Sequence, residues 1–341
     1  MSNGGLRFIV VKEDDDGQRL DRWIKKYVPD MPYVLAQKLM RKGQIRADGK
    51  RVKPDTRIVM GQEIKIPPFD VIASDRSEKI KQKPKITDDD VAFMRSLVIY
   101  EDEDVIALNK PCDLAVQGGT KTKRHIDGML EVFQDEEGVV PRLVHRLDKD
   151  TSGILLLARS AKCARELGFA FKKREVRKIY WAVVSPTPEA YEGSIKAPIV
   201  KSTGDYEKMI IDEEDGKYAL TEYAVIENAG RAAAFVAFWP RTGRTHQIRV
   251  HASEVLGSAV LGDRKYRAVK DEESKLIDAD LAGMDLAKRM HLHAHRLILP
   301  HPMKHGQVLD IIAPLSADLV KSWKSLGFDH KYKQDPFEDL D

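Results

Sequence analysis

The apolar pattern near the N-terminus predicts two helices and a small set of strands. Four apolar residues in "QRLDRWIKKYV" recur at the i, i+3, i+4 and i+7 spacing of one helix face, namely Leu20, Trp23, Ile24 and Tyr27. A second helix is predicted over about 32–42, because proline stands at its start and Gly43 follows its end. "QIRADGKRV" predicts a hairpin that turns at Asp48 and Gly49, and "GQEIKIP" predicts a further strand.

Farther along the chain, short apolar runs alternate with helical stretches. Runs such as "GILLLA", "KIYWAVVS", "AAAFVAFW" and "HRLILP" have the length of strands, and "SAKCARELGFAFKKREV" has the pattern of a helix. This mixture predicts an α+β fold on a mixed, largely antiparallel sheet over 96–320. The polar, charged stretch 69–95 is predicted to be a linker. We predict an N-terminal extension over 1–18, a small α+β domain over 19–68, and a frayed tail over 321–341.

Charge divides the chain in the same way. Residues 19–85 contain 18 Lys and Arg against 8 Asp and Glu, a balance of +10, within a total of +3 for the 341 residues. A basic segment on a mildly acidic body indicates a module that binds a polyanion. In the predicted second helix, Lys38, Arg41 and Lys42 fall within about one turn and form a basic patch.

Composition excludes several classes of protein. The two cysteines, Cys112 and Cys163, are far apart and predict neither a disulfide framework nor a cysteine zinc site. The N-terminal residues lack a signal-peptide pattern, and the longest apolar run, 232–239, is too short to cross a bilayer. We therefore expect a cytoplasmic chain that does not act in a membrane.

The first cluster with candidate chemistry is "HRLDKDTSGILLLA". Asp148 and Asp150 are the carboxylates that could act as nucleophile or base. Ser152 lacks the G-x-S-x-G context of a hydrolase serine, and His145 is either a base or a structural residue. The residue types alone leave the choice open.

Two further clusters bear on that choice. "RTGRTHQIRVH", 241–251, offers arginines that could keep a carboxylate ionised, although a phosphate-binding loop would have the same composition. In "HLHAHRLILPHP", His291, His293 and His295 would share one strand face and could hold zinc. No carboxylate or cysteine lies at a supporting spacing, which favours structural histidines over a metal site.

Two resemblances give these residues roles. The segment from Arg19 to about Pro67 resembles the S4 RNA-binding domain, in which the second helix and the following turn lie against RNA. This implies RNA contacts at Lys38, Arg41, Lys42 and Arg46. "LNKPCDLAVQGG", "LVHRLDKDTSGILLLA" and "RTGRTHQIRVH" closely resemble the three motifs of the RluA-type pseudouridine synthases, in particular the RluC-like branch that acts on large-subunit ribosomal RNA.

The second resemblance implies a residue-by-residue site. Asp148 matches the catalytic aspartate, Tyr180 the tyrosine that stacks on the uracil, and Arg244 the arginine that pairs with the carboxylate. Arg146 matches the residue that fills the stack left by the flipped base, and Leu297 an apolar residue near the base. The reaction isomerises uridine, so the resemblance implies that no metal or organic cofactor is needed and that RNA is the partner. We also expect a monomer. The alternatives are a synthase acting on transfer RNA and a non-catalytic RNA-binding factor of ribosome assembly.

Overall fold

The computed structural model describes residues 5–69, 86–118, 124–204, 208–266 and 279–340. The chain divides into two compact units, Met1–Lys83 and Pro84–Asp341. None of the helices in the described ranges has both the length and the apolar character that crossing a bilayer requires.

The N-terminal unit packs two helices on a four-stranded sheet. Its elements are β1 (Arg7–Val10), α1 (Leu20–Tyr27), α2 (Tyr33–Arg41), β2 (Arg46–Ala47), β3 (Lys50–Arg51) and β4 (Glu63–Ile66), with strand order β1-β4-β2-β3. Trp23 and Ile24 are buried with Leu39 and Ile64 in one apolar core, as the helical spacing predicts. Asp48 and Gly49 both have positive φ, 46° and 74°, which is the backbone of a type I′ hairpin turn.

Two predicted boundaries of this unit are wrong. β1 pairs with β4, and Asp15 accepts hydrogen bonds from Lys26 and Tyr27 of α1, so residues before Arg19 belong to the unit and are not an extension. The isolated pattern of β1 is too short to reveal a strand whose partner lies more than 50 residues later. The predicted linker 69–95 is also too long at both ends, because Phe69 is buried in this core and a helix of the second unit begins at Asp88. Residues 70–85 lie outside the described ranges.

The second unit is built on a sheet of eleven strands within the described ranges. The strands of this sheet are β5 (Val98–Glu101), β6 (Val105–Lys110), β7 (Arg142–Leu143), β8 (Ser152–Ala158), β9 (Arg177–Ser185), β10 (Glu192–Lys196), β13 (Leu220–Ala229), β14 (Ala233–Pro240), β15 (Ala259–Val260), β16 (Leu292–Pro300) and β17 (Val308–Ile312). Two further strands, β11 (Ile199–Lys201) and β12 (Met209–Ile211), pair with each other in a separate sheet. The main order is β10-β13-β14-β9-β16-β8-β6-β5. Among the described pairs only β16 with β8 is parallel, so the predicted mixed, largely antiparallel α+β architecture is confirmed.

Helices cover this sheet. They are α3 (Asp88–Ser96), α4 (Ile126–Met129), α5 (Ala161–Lys173), α6 (Gln247–Val250), which continues as a π-helical turn over His251–Val255, and α7 (Ala317–Ser325). Every residue of β8 is buried, which gives the polar loop before it a rigid support. The frayed tail predicted over 321–341 is wrong, because Trp323, Phe328 and Phe337 are buried in one apolar cluster with Trp181 and Phe235.

Candidate active site

The polar loops around β8, β9 and β14 line a cavity of about 570 Å³. Its described lining is strongly basic, with cationic side chains from Arg146, Lys172, Arg174, Lys178, Arg241, Arg244 and Arg249. Asp148 is the single carboxylate among the described residues of this lining. One acid in a basic cavity is an arrangement that fits an anionic ligand and leaves one residue for carboxylate chemistry.

Asp148 lies on the loop between β7 and β8, and buried residues hold that loop in place. The amide of Thr151 donates to the carbonyl of Asp148 at 3.1 Å, and Thr151 itself is buried. Lys110 is fully buried, and its Nζ donates to the carbonyls of Pro111, Leu114 and Lys149 at 2.8, 2.9 and 3.1 Å. A loop fixed in this way keeps the carboxylate in one position.

The other candidates of the same cluster have structural surroundings. His145 Nε2 accepts from the amide of Leu156 at 2.8 Å, and burial lowers the pKa of His145 to about 3. The buried Ser152 Oγ is 2.9 Å from His293 Nδ1 and accepts from Arg289 at 2.6 Å. Asp150 is not part of the described cavity lining. The structure therefore places Asp148, and not these neighbours, as the acid of the cavity.

Asp148 faces Arg249 and His246. Arg249 NH1 is 3.9 Å and His246 Nε2 is 3.7 Å from Asp148 Oδ2. Arg249 is buried, and its Nε and NH2 donate to the two carboxylate oxygens of Asp263 at 2.6 and 2.8 Å. Burial opposes the charge of Arg249, but the hydrogen bonds and the charge of Asp263 raise its pKa. The guanidinium thus stays charged and places a positive charge beside the carboxylate of Asp148.

The predicted pairing of Asp148 with Arg244 is wrong. Arg244 is exposed, and its Nε donates to the carbonyl of Tyr218 at 3.1 Å. Helix α6 begins three residues later, so Arg249 falls on the buried part of the helix between Ile248 and Val250. In the sequence, the position of Arg249 between the apolar Ile248 and Val250 indicates a buried arginine. The motif match assigned the pairing to Arg244 instead.

His246 is a second residue that the sequence analysis missed. Its backbone is left-handed, with φ of 55°, and its Nδ1 is 2.7 Å from the hydroxyl of Tyr266. That hydroxyl accepts from the amide of Met209 at 2.9 Å and keeps its own hydrogen to donate to Nδ1. Burial lowers the pKa of His246, which favours a neutral ring with its hydrogen on Nε2, toward Asp148.

Tyr180 and Arg146 lie in the cavity lining, as the predicted roles require. Tyr180 is on β9, and burial together with the charge of Asp148 raises the pKa of its hydroxyl, so the phenol is neutral. Arg146 is exposed at the cavity. Stacking by Tyr180 and filling of the stack by Arg146 remain predictions.

The prediction that Leu297 packs near the base is wrong. Leu297 is 3 % exposed and packs with Leu156, Leu167 and Val176 in a core under α5. The register of β16 places Ala294, not Leu297, opposite Tyr180, and Leu297 opposite Lys178. The apolar residues that reach the cavity include Ile248 and Leu292.

The three histidines of β16 each have protein partners. His291 Nε2 is 2.9 Å from Ser322 Oγ, and His293 Nε2 and His295 Nδ1 lie 3.1 and 3.0 Å from the carbonyl of Ala313. Burial lowers their pKa values to about 4, 4 and 3. These contacts favour the structural interpretation over a zinc site.

The basic patch of the N-terminal unit is exposed. Lys38, Arg41, Lys42 and Arg46 are all exposed around the C-terminal end of α2 and the start of the hairpin. Arg46 is held in place because its Nε and NH1 donate to the carbonyls of Gly43 and Gly49 at 2.9 and 3.2 Å. The patch is available to a polyanion.

Comparisons with known proteins identify the family of the chain. Residues 104–254, which include Asp148, Tyr180 and Arg249, match the family model described as RNA pseudouridylate synthase. The chain belongs to the RNA pseudouridylate synthase family, as the relatives below show over nearly its whole length, and the enzyme class that the motifs predict is thereby confirmed.

The relatives include the ribosomal large subunit pseudouridine synthase C of Rickettsia bellii (strain RML369-C), 34% identical over 85% of this chain and 92% of the relative. The protein of that name from Escherichia coli (strain K12) is 31% identical over 94% of this chain and 97% of the relative. Among solved structures, human RNA pseudouridylate synthase domain containing 4 has a TM-score of 0.57 and 26% identity, covering 70% of this chain and 97% of that one. Human RNA pseudouridylate synthase domain containing 1 has a TM-score of 0.50 and 28% identity, covering 64% and 82%.

Proposed function

We propose that this enzyme converts uridines of large-subunit ribosomal RNA to pseudouridine, with Asp148 as the catalytic residue. The observation that carries the proposal is the single described carboxylate of a basic cavity, 3.9 Å from a buried, permanently charged arginine. The choice of ribosomal RNA rests on the names of relatives that align over most of this chain.

The chemistry needs few groups, and the cavity supplies them. The N1–C1′ bond of the uridine breaks, the uracil turns, and a C5–C1′ bond forms while the hydrogen on C5 is lost and N1 gains one. No electrons enter or leave, and no group is imported. Asp148 supplies the carboxylate at the reacting atoms, and Arg249 holds a fixed positive charge beside it. A cavity of about 570 Å³ holds the detached ring against Tyr180, so that it does not escape to water.

The target base must leave its stack to enter the cavity, which costs a few kcal/mol. Phosphate contacts offset this cost. In this proposal Arg146, which is exposed at the cavity, occupies the vacated stack. The exposed Lys38, Arg41, Lys42 and Arg46 are the S4-like RNA-binding surface of the N-terminal unit. The proposal places the enzyme with its substrate in the cytoplasm, acting as a monomer.

The test uses unmodified large-subunit ribosomal RNA and a mixture of transfer RNAs, each transcribed in vitro. After incubation with the enzyme, pseudouridines are mapped by carbodiimide labelling and primer extension. We expect new pseudouridines at discrete sites in the ribosomal RNA, and none with Asp148→Asn. Pseudouridines in transfer RNA alone would contradict the substrate, and product from Asp148→Asn would contradict the catalytic role.

A further inference from the structure

Lys178 shares the cavity with Tyr180 and is not required by the chemistry above. Successive side chains of a strand point to opposite faces, so residues 178 and 180 of β9 lie on the same face, roughly 6.6 Å apart along the strand. Both side chains line the cavity, and Lys178 Nζ lies 4.0 Å from the position that a Cβ of Gly243 would take.

The surroundings of Lys178 are cationic or neutral. Arg174 is close enough to act on its charge, and His145 is a neutral ring that accepts an amide hydrogen bond. Asp148, the described acid of the lining, faces Arg249 and His246. Within the described residues, Lys178 has no hydrogen bond or ion pair to a carboxylate. Burial, and then the charge of Arg174, lower the pKa of Lys178 to about 8. A half-buried cation without a counter-charge is costly, which indicates that a ligand supplies one.

Arg174 reaches the cavity through an unfavourable backbone. It is the residue after α5, with φ of 64°, a left-handed conformation that favours glycine at helix ends. Its guanidinium carbon is 6.0 Å from the centre of the Tyr218 ring. The left-handed backbone is less stable with an arginine than with a glycine, but the arginine places a second positive charge beside Lys178. Two cations that repel each other become favourable when an anion lies between them.

We propose that Lys178, with Arg174 beside it, binds a phosphate group of the RNA strand next to the uridine held at Tyr180. This inference rests on the proposed function and deepens it, because it assigns a path to the strand at the cavity. The distance between positions 178 and 180 is of the order that separates the base of a nucleotide from the backbone phosphates. Every nucleotide of an RNA strand carries a phosphate, and each contact between a cationic side chain and a phosphate releases counterions.

The test compares the salt dependence of RNA binding. Filter binding of unmodified large-subunit ribosomal RNA is measured between 50 and 200 mM salt for the wild type, Lys178→Met, Lys178→Arg and Arg174→Gly. We expect Lys178→Met to bind about tenfold more weakly at 50 mM. The slope of log K against log salt should fall in magnitude by about 0.7. Raising the salt from 50 to 200 mM should therefore weaken the binding of Lys178→Met by a factor about 2.6-fold smaller than it weakens wild-type binding. Lys178→Arg should restore the slope, and Arg174→Gly should reduce it.

Lys173→Gln is the matched control, because Lys173 is exposed, pairs with Glu175 at 3.6 Å and is outside the described lining. Its slope should equal that of the wild type. The melting temperature of RNA-free Lys178→Met should be equal to or higher than that of the wild type, since the change removes an unpaired cation. An unchanged slope for Lys178→Met would overturn the proposal.

Single-turnover pseudouridine formation provides a second readout. At saturating RNA, Lys178→Met should react within about threefold of the wild-type rate. The RNA concentration that gives half of the maximal rate should rise. A large loss of the rate at saturating RNA, together with an unchanged salt slope of binding, would place Lys178 in the chemistry and overturn the phosphate site. If the wild type forms no pseudouridine in this RNA, the proposed function fails, while the binding slope still decides the phosphate site.

Discussion

Arg249 NH1 lies 3.9 Å from Asp148 Oδ2, while the same guanidinium donates two hydrogen bonds to the carboxylate of Asp263. Asp263 is itself fully buried as a side chain, so this acid–arginine–acid row is fixed. The positive charge beside the loop that carries Asp148 is therefore set by a residue within helix α6 and not by the exposed loop that precedes it.

This row predicts a contrast between two arginines of one motif. Arg249→Met should lower the single-turnover rate at saturating RNA at least a hundredfold, because the carboxylate of Asp148 loses the fixed positive charge beside it. Arg244→Met should reduce that rate less than tenfold, since Arg244 contacts a backbone carbonyl at the cavity rim. Rapid-quench assays measure the single-turnover rates of both variants. Equal losses would contradict the assignment of Arg249. Because Arg249→Met leaves Asp263 buried without its partner, Arg249→Met/Asp263→Leu controls for misfolding.

Tyr180 should act through its ring. Tyr180→Phe keeps the aromatic face and removes a hydroxyl that is neutral in the protein, so we expect activity within about threefold of the wild type. Tyr180→Ala removes the stacking surface, worth about 1–3 kcal/mol per base, and should cost roughly 10- to 100-fold in kcat/KM. Steady-state assays on both variants make the comparison. A loss in Tyr180→Phe as large as that in Tyr180→Ala would assign the role to the hydroxyl.

The basic end of α2 should contribute affinity and leave the chemistry unchanged. Replacing Lys38, Arg41 and Lys42 by glutamine should reduce the magnitude of the salt slope of RNA binding by about 2, if each contacts one phosphate. The rate at saturating RNA should stay unchanged. The control carries Arg22→Gln and Lys25→Gln, two exposed cations of α1. A reduction of the same size in that control would mean that the helix surface binds RNA without preference for α2.

Leu297 should matter for stability alone. Leu297→Ala removes a buried side chain from the core under α5 and should lower the free energy of unfolding by about 2–5 kcal/mol. Well below the melting temperature, the rate at saturating RNA should be that of the wild type. Urea unfolding and single-turnover assays on one preparation test both statements, and a normal stability with a reduced rate would return Leu297 to the site.

Acid should destabilise the enzyme through its buried histidines. The pKa of His293 is about 4 in the folded protein against 6.5 for the free group, so the unfolded chain binds its proton first. The stabilisation is complete above pH 6.5 and is lost as the pH falls toward 4, by up to about 1.4 kcal/mol per pH unit for this histidine. Urea titrations at several pH values should show a shallower loss for His293→Gln than for the wild type. Parallel curves would mean that His293 does not contribute to the pH dependence.

The sequence by itself determined the elements that depend on local pattern. The two N-terminal helices follow from the spacing of Leu20, Trp23 and their neighbours, and the hairpin turn follows from Asp48 and Gly49. The strand "GILLLA" after a polar loop places Asp148 beside a buried support. Periodicity and turn preferences act over a few residues, so they can be read without the rest of the chain.

The tertiary structure decided which side chains meet. The four residues of β1 join the N-terminal sheet because of a partner far along the chain, and Trp323 and Phe337 are core residues because the sheet lies under them. Within "GRTHQIRVH", the start of α6 turns Arg249 inward and leaves Arg244 outside. Packing under α5 keeps Leu297 out of the cavity, while Lys178, its partner in the pairing of β9 with β16, lines it. Register, helix phase and burial depend on contacts between distant segments, which no local pattern specifies.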